Sequence, residues 1–142
     1  MHLQFWPKLL DRVRAEHSGW TRSRHIRPEN RIEMPSPLRG TVIHSIFGSK
    51  DRLRHGLYID ASDGERNVEI FEYLRSQRER FEAAYGRPID WEELSGRRAC
   101  QIADYRENSS VADEAQHAEY VDWFLDAGIR LRRALAAVDP PA

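Results

Sequence analysis

The residues with the clearest capacity for chemistry lie in one stretch, KDRLRHGLYIDASDGE, residues 50–65. Asp60 ends a strand-like run, and Asp63 and Glu65 follow within five residues. A metal-dependent nuclease of the restriction-enzyme kind would use such an acid together with an acid-x-Lys pair on the next strand. The carboxylates would hold Mg²⁺ and the lysine would orient the attacking water. The pair is missing: the lysines are Lys8 and Lys50, and neither has an acid two positions earlier. Asp63 and Glu65 stand at a turn before a helical pattern, where acids cap the helix and meet its dipole. The six histidines (His2, His17, His25, His44, His55, His117) include no HxH or HxxxH pair. His44 and His55 fall opposite each other if the hairpin turns between residues 49 and 50. A hydrogen-bonded pair there is favoured over a two-histidine metal site. Cys100 is the single cysteine, which excludes an internal disulfide, and it reads as a buried structural thiol. No Ser elbow, phosphate loop or dinucleotide fingerprint is present. The residues therefore assign no catalytic group, metal or cofactor.

One constellation survives. Trp20, Arg22, Arg24, Arg27, Arg31, Lys50, Arg52, Arg54 and Tyr58 combine dense positive charge with two aromatics. Cationic grooves lined with stacking rings grip single-stranded nucleic acid without reading its sequence. The same residues also suit a protein interface or a solvated face tied by ion pairs. Charge is uneven along the chain. Residues 8–54 hold eleven Lys and Arg against five Asp and Glu, and residues 55–142 hold eleven against eighteen. Such asymmetry fits a nucleic-acid or acidic partner, or two parts that face each other across the fold or a dimer.

The elements that would position these residues are legible in the periodicity. Trp6, Leu9, Leu10 and Val13 share one face of a helix over 3–17, with Pro7 near its start. A short strand is predicted near 30–34, before Pro35 and Pro37. GTVIHSIFG (40–48) and RLRHGLYID (52–60) form a hairpin whose second strand points Leu53, His55, Leu57 and Ile59 one way and Arg52, Arg54, Gly56, Tyr58 and Asp60 the other. A long helix over 65–85 buries Val68, Phe71, Leu74, Phe81 and Tyr85, with Arg78 in the gap, and stops at Gly86. IDWEEL (89–94) reads as a turn of helix or a loop pinned by Trp91. A strand covers 97–106. A last helix covers 111–138, with Gly128 pointing to close packing. The prediction is an α+β domain over 1–138, with an antiparallel sheet of three to four strands, about three helices on it (order α-β-β-β-α-β-α) and a frayed tail at 139–142. The 142 residues, 40% apolar and 32% charged, suit one domain with a charged surface. No apolar run could span a bilayer, so the expectation is a cytoplasmic protein without a membrane partner.

FWPKLL near the start, DGERN entering a helix, FEYL…RERFEAAYG, IDWEEL, RRACQIADYR and YVDWFLDAGIRL together resemble the bacterial and archaeal domain of unknown function 4268, over about residues 3–136. The most distinctive part is YGRPIDWEEL, with Tyr85 where the family has Phe. In that family the domain often follows a restriction-endonuclease-like domain. The resemblance implies a role beside nucleic-acid processing, in systems such as defence against foreign DNA. These 142 residues hold no such nuclease domain, so it implies no nuclease activity here and maps no catalytic residue. Three functions stay open: a non-catalytic accessory domain that binds a protein partner or itself as a homodimer; a DNA- or RNA-binding domain acting through residues 20–54; and a divergent metal-dependent hydrolase with acids from Asp60 and Glu69. Asn67 is expected to bond backbone near its helix start, and Trp91 to pack over the end of a helix.

Overall fold

The hairpin sets the frame. The computed structural model describes residues 2–21, 29–61, 63–94 and 99–141. Strands β2 (Thr41–Gly48) and β3 (Arg52–Ile59) pair antiparallel. On one side β1 (Arg31–Pro35) adds to β2, and on the other β5 (Cys100–Arg106) adds to β3 and β4 (Asp90–Glu93) to β5. The order is β1-β2-β3-β5-β4, antiparallel throughout. Four helices accompany the sheet among the described residues: α1 (His2–Glu16), α2 (Gly64–Arg75), α3 (Arg78–Tyr85) and α4 (His117–Ala137). The α+β class holds, with one strand and one helix more than the periodicity predicts.

Each departure has a local cause. The helix predicted over 65–85 is two helices. Ser76 caps α2 by sending its N–H to Glu72 O, and α3 restarts after Gln77. Within α2 the buried face runs through Asn67, Ile70, Phe71 and Leu74, which leaves Val68 44% exposed, and after the break Arg78 stands outside the core in an ion pair with Glu82. IDWEEL is neither helix nor loop. Its residues 90–93 form edge strand β4, because Ala103, Ile102, Gln101 and Cys100 offer a backbone edge to pair with. No local period in four half-exposed residues announces such an edge strand. The last helix begins at His117, after a 3₁₀ turn at Glu114–Gln116, rather than at 111.

The hairpin register also differs from the prediction. Lys50 and Asp51 both adopt positive φ, 62° and 50°, so residues 49–51 make the turn and Gly48 pairs with Arg52. His44 then faces Gly56, and His55 faces Ser45. A one-residue shift moves a side chain to the opposite face, so the two histidines are separated by the sheet. His55 points to the helices and shares a 2.9 Å hydrogen bond with Ser45 Oγ. His44 points the other way and stacks on Tyr58, with ring centroids 4.7 Å apart.

One face of the sheet is the core. Ile43, Phe47, Leu53, Leu57, Ile59 and Ile102 meet Phe5, Trp6 and Phe124 from α1 and α4 and Phe71 and Leu74 from α2. Phe5 sits edge-on to Phe47 at 4.8 Å, a favoured geometry for aromatic pairs. Trp91 packs edge-on to Phe81 at 5.2 Å and donates its indole N–H to Glu82 Oε2 at 3.2 Å. Asn67 exchanges hydrogen bonds with the backbone of Ala61 just before α2, as its position predicts. Cys100 is buried on the core side, and burial raises its thiol pKa, which fits a structural role. No helix among the described residues is long and apolar enough to cross a membrane.

Candidate functional site

The second face of the sheet carries no helix among the described residues, and strand alternation decides what it displays. Three rows cross it in register. Arg31, Ile46, Arg54 and Tyr105 form one; Glu33, His44, Gly56, Ala103 and Asp90 form the next; Pro35, Val42, Tyr58, Gln101 and Glu92 form the third. The middle row is low at its centre, because Gly56 and Ala103 put almost nothing above the backbone. Larger side chains stand around that dip.

Beside the dip, towards β1 and the far end of β3, lies a hollow of about 580 Å³. Its lining includes Arg31, Glu33, His44, Arg54, Tyr58 and Gln101, with Thr41 and Asp60 at the far end. Its volume lies within the range of about 300–1,000 Å³ usual for ligand pockets. The Arg54 side chain makes no hydrogen bond or ion pair with any described residue, although it is only half-exposed; Arg31 faces Glu33 at 3.6 Å. His44 is 5% exposed, and its Nδ1 has no hydrogen-bond partner among the described residues. Burial, helped by the charges of Arg31 and Arg54, lowers its pKa from 6.5 to about 4. The imidazole is therefore neutral at pH 7. Next to the hollow, Tyr105 donates to Glu92 Oε1 and carries Arg52 over its ring at 4.1 Å. Burial, and then that bond to Glu92, raise the Tyr105 phenol to about 12.

The residues predicted to form a binding site divide accordingly. Arg31, Arg54 and Tyr58 come together in the hollow. Arg52 lies on the same face beyond it, 3.7 Å from Glu107, and Lys50 is exposed in the hairpin turn. Arg22, Arg24 and Arg27 lie outside the described residues. Trp20 is elsewhere: it packs against α4 on the helical side. Its ring stacks on His17 at 4.0 Å and lies 3.8 Å from the Arg132 guanidinium. A Cβ on Gly128 would fall 2.7 Å from the Trp20 ring, which accounts for a glycine in mid-helix. Burial lowers the Arg132 pKa to about 10, and the indole face, the Gly128 carbonyl (3.2 Å) and Met34 Sδ (3.8 Å) receive this cation. Trp20→Ala is expected to cost about 2 kcal/mol of stability, from lost packing and a lost cation–π contact, and to leave ligand binding on the open face unchanged. Chemical denaturation and a binding titration on the same variant check both parts.

Sequence reasoning missed Glu33, His44, Gln101 and Tyr105 as neighbours of Arg54 and Tyr58. The alternation in QIADYR does place Gln101, Ala103 and Tyr105 on one face. Which face, and beside which strand, depends on β5 pairing with β3 across more than forty residues. The acids weighed for a hydrolase do not converge: Asp60 is at the rim of the hollow, whereas Glu69 is exposed on α2 and pairs with Arg66 at 3.2 Å. No group of three or more His, Cys, Asp or Glu among the described residues is arranged to hold a metal ion.

A family model matches residues 1–139, nearly the whole chain, and its description is domain of unknown function (DUF4268). The chain belongs to the DUF4268 family. No curated protein and no solved structure matches it. In this DUF4268 domain the match runs through both faces of the sheet, from α1 to the end of α4. The hollow on the open face is thus part of the family domain and not an appendage to it.

Proposed function

We propose that this DUF4268 domain is a non-catalytic accessory module of a nucleic-acid-processing or defence system, and that it contacts single-stranded nucleic acid through its open sheet face. The observation that carries the reading is the hollow itself, lined by the ring of Tyr58 and by Arg54, whose side chain has no partner among the described residues. A sheet face that presents cations beside rings is a recurring platform for single strands: stacking takes the bases, and arginine takes phosphate. The mixed charge of the face, with Glu33, Asp60 and Glu92 near the arginines, favours a contact of a few nucleotides over a long electrostatic track. The defence setting rests on the sequence resemblance.

Labelled single- and double-stranded DNA and RNA, titrated at low and moderate salt, test the reading. Single strands are expected to bind better than duplex and to weaken as salt rises. Arg54→Ala is expected to lower affinity about tenfold and to reduce the salt dependence by about one phosphate contact. Absence of binding at low salt overturns the proposal and moves the search to protein partners and self-association.

A further inference from the structure

The hollow is chemically graded along β3. Arg54 stands at one end, Tyr58 in the middle, and Asp60 just past the strand at the other end, all on the open face. Asp60 is anchored by its backbone, whose N–H donates to Gly40 O at 3.1 Å. Its carboxylate has no hydrogen bond or ion pair with any described residue, the same condition as the Arg54 guanidinium. Strand rise puts about 13 Å between Arg54 and Tyr58 and about 7 Å between Tyr58 and Asp60. The long arginine side chain shortens the first gap. What fits between is a ligand with an anion, then a flat ring, then hydrogen-bond donors.

We propose that the hollow binds a guanine nucleotide unit, with its phosphate at Arg54 and Arg31, its base against Tyr58 and its Watson–Crick edge at Asp60. The assignment of the base follows from donor and acceptor counts. A carboxylate offers two acceptor oxygens and no donor. Guanine presents N1–H and the N2 amino group side by side, two parallel donors that match it. Adenine and cytosine present one amino group beside a ring nitrogen acceptor, which the carboxylate repels. Uracil and thymine present one N–H between two carbonyl oxygens. At the other end Arg54 supplies donors only, and Arg31, partly offset by Glu33, adds a second positive charge. Tyr58 is already held on one side by its stack with His44, so its ring is ordered before a ligand arrives.

This inference rests on the open face being the nucleic-acid surface. Its test separates the two claims and the two sources of such a nucleotide. Guanosine, adenosine, cytidine and uridine 5′-monophosphates are titrated by calorimetry, beside oligothymidine strands with and without guanines. Wild type, Asp60→Asn and Arg54→Ala are compared, each first shown to unfold at the wild-type midpoint. The expected result is at least a tenfold preference for guanine, lost in Asp60→Asn, with all binding weakened in Arg54→Ala. Preference seen with free guanosine monophosphate as well as with strands supports a free nucleotide as ligand; preference seen only with strands supports a guanine within single-stranded nucleic acid. Binding of all strands with equal affinity, or an Asp60→Asn variant that keeps the preference, overturns the guanine assignment and leaves the surface reading standing. No binding of any nucleotide or strand overturns both.

Discussion

Gly56→Ala is expected to destabilise the domain by about 3 kcal/mol or more, at the upper end of what added volume costs in a packed interior. Gly56 occupies the middle of the central strand, between His44 on β2 and Ala103 on β5. A Cβ there would lie 2.2 Å from the carbonyl oxygen of Ile102 and 2.8 Å from the Cα of Ala103. Both are backbone atoms, so no rotamer change relieves the clash. The two strands would have to move apart where the ladder is most central, and their hydrogen bonds and the core residues on either side, Leu57 and Ile102, would move with them. Gly19 is the control, since a Cβ there meets nothing within 4 Å, and Gly19→Ala should stay within about 0.5 kcal/mol of wild type. Urea denaturation of the two variants checks the contrast. A Gly56→Ala midpoint equal to that of Gly19→Ala would show that β3 and β5 are not held as close as the structure has them. Because Arg54 and Tyr58 flank Gly56 on β3 and line the hollow, loss of ligand binding in this variant is expected only together with loss of stability.

Acidification is expected to weaken the fold well before its carboxylates titrate. Burial lowers the His55 pKa from 6.5 to about 3, with smaller contributions from Arg132 and His44, and burial lowers that of His44 to about 4. As pH falls below 6.5 the unfolded chain binds protons at both residues and the folded chain does not. Stability that is complete above pH 6.5 is therefore lost as pH falls, towards about 4 for His44 and about 3 for His55. Each contributes about 1.4 kcal/mol per pH unit inside its window. The combined loss is about 6 kcal/mol by pH 4, comparable with the whole stability of an ordinary domain. His55 is the cleaner test, being 3% exposed with its Nε2 lacking any hydrogen-bond partner among the described residues. His55→Leu removes one proton site, fills a similar volume and leaves only the Ser45 hydroxyl short of its bond. Between pH 6.5 and 5 its unfolding free energy should fall about half as steeply as that of wild type. Equal slopes would mean that His55 takes up a proton as readily in the native state as in the unfolded chain, which its burial, with Phe124 6.2 Å away, and the nearby charge of Arg132 argue against.

Both predictions draw on information of different kinds. Gly56 and His55 are assigned to their faces of β3 by strand alternation alone, and RLRHGLYID is regular enough for the period of two to be read directly. The α+β class, the hairpin, the closing glycine of α3, the buried Cys100 and the backbone role of Asn67 follow from local rules in the same way. Each is decided by groups within a few residues of one another. Family membership was legible as well, because it rests on spaced motifs over the length of the chain.

What the tertiary structure decided are the features that depend on distant partners. The hairpin register turns on two non-glycine residues with positive φ, a choice that a Lys-Asp pair does not advertise, and that single step placed His44 and His55 on opposite sides of the sheet. β4 exists because β5 offers it an edge. Trp20 left the basic group for Arg132 because a glycine more than a hundred residues later opens a space for its ring. The hollow itself gathers residues from four strands, and only their pairing brings to one surface a stacked tyrosine and an arginine and a carboxylate that have no side-chain partner among the described residues. Alternation along a strand is set by the chain's own geometry; which strands lie side by side is set by the burial of their shared apolar face, and that energy belongs to no single segment.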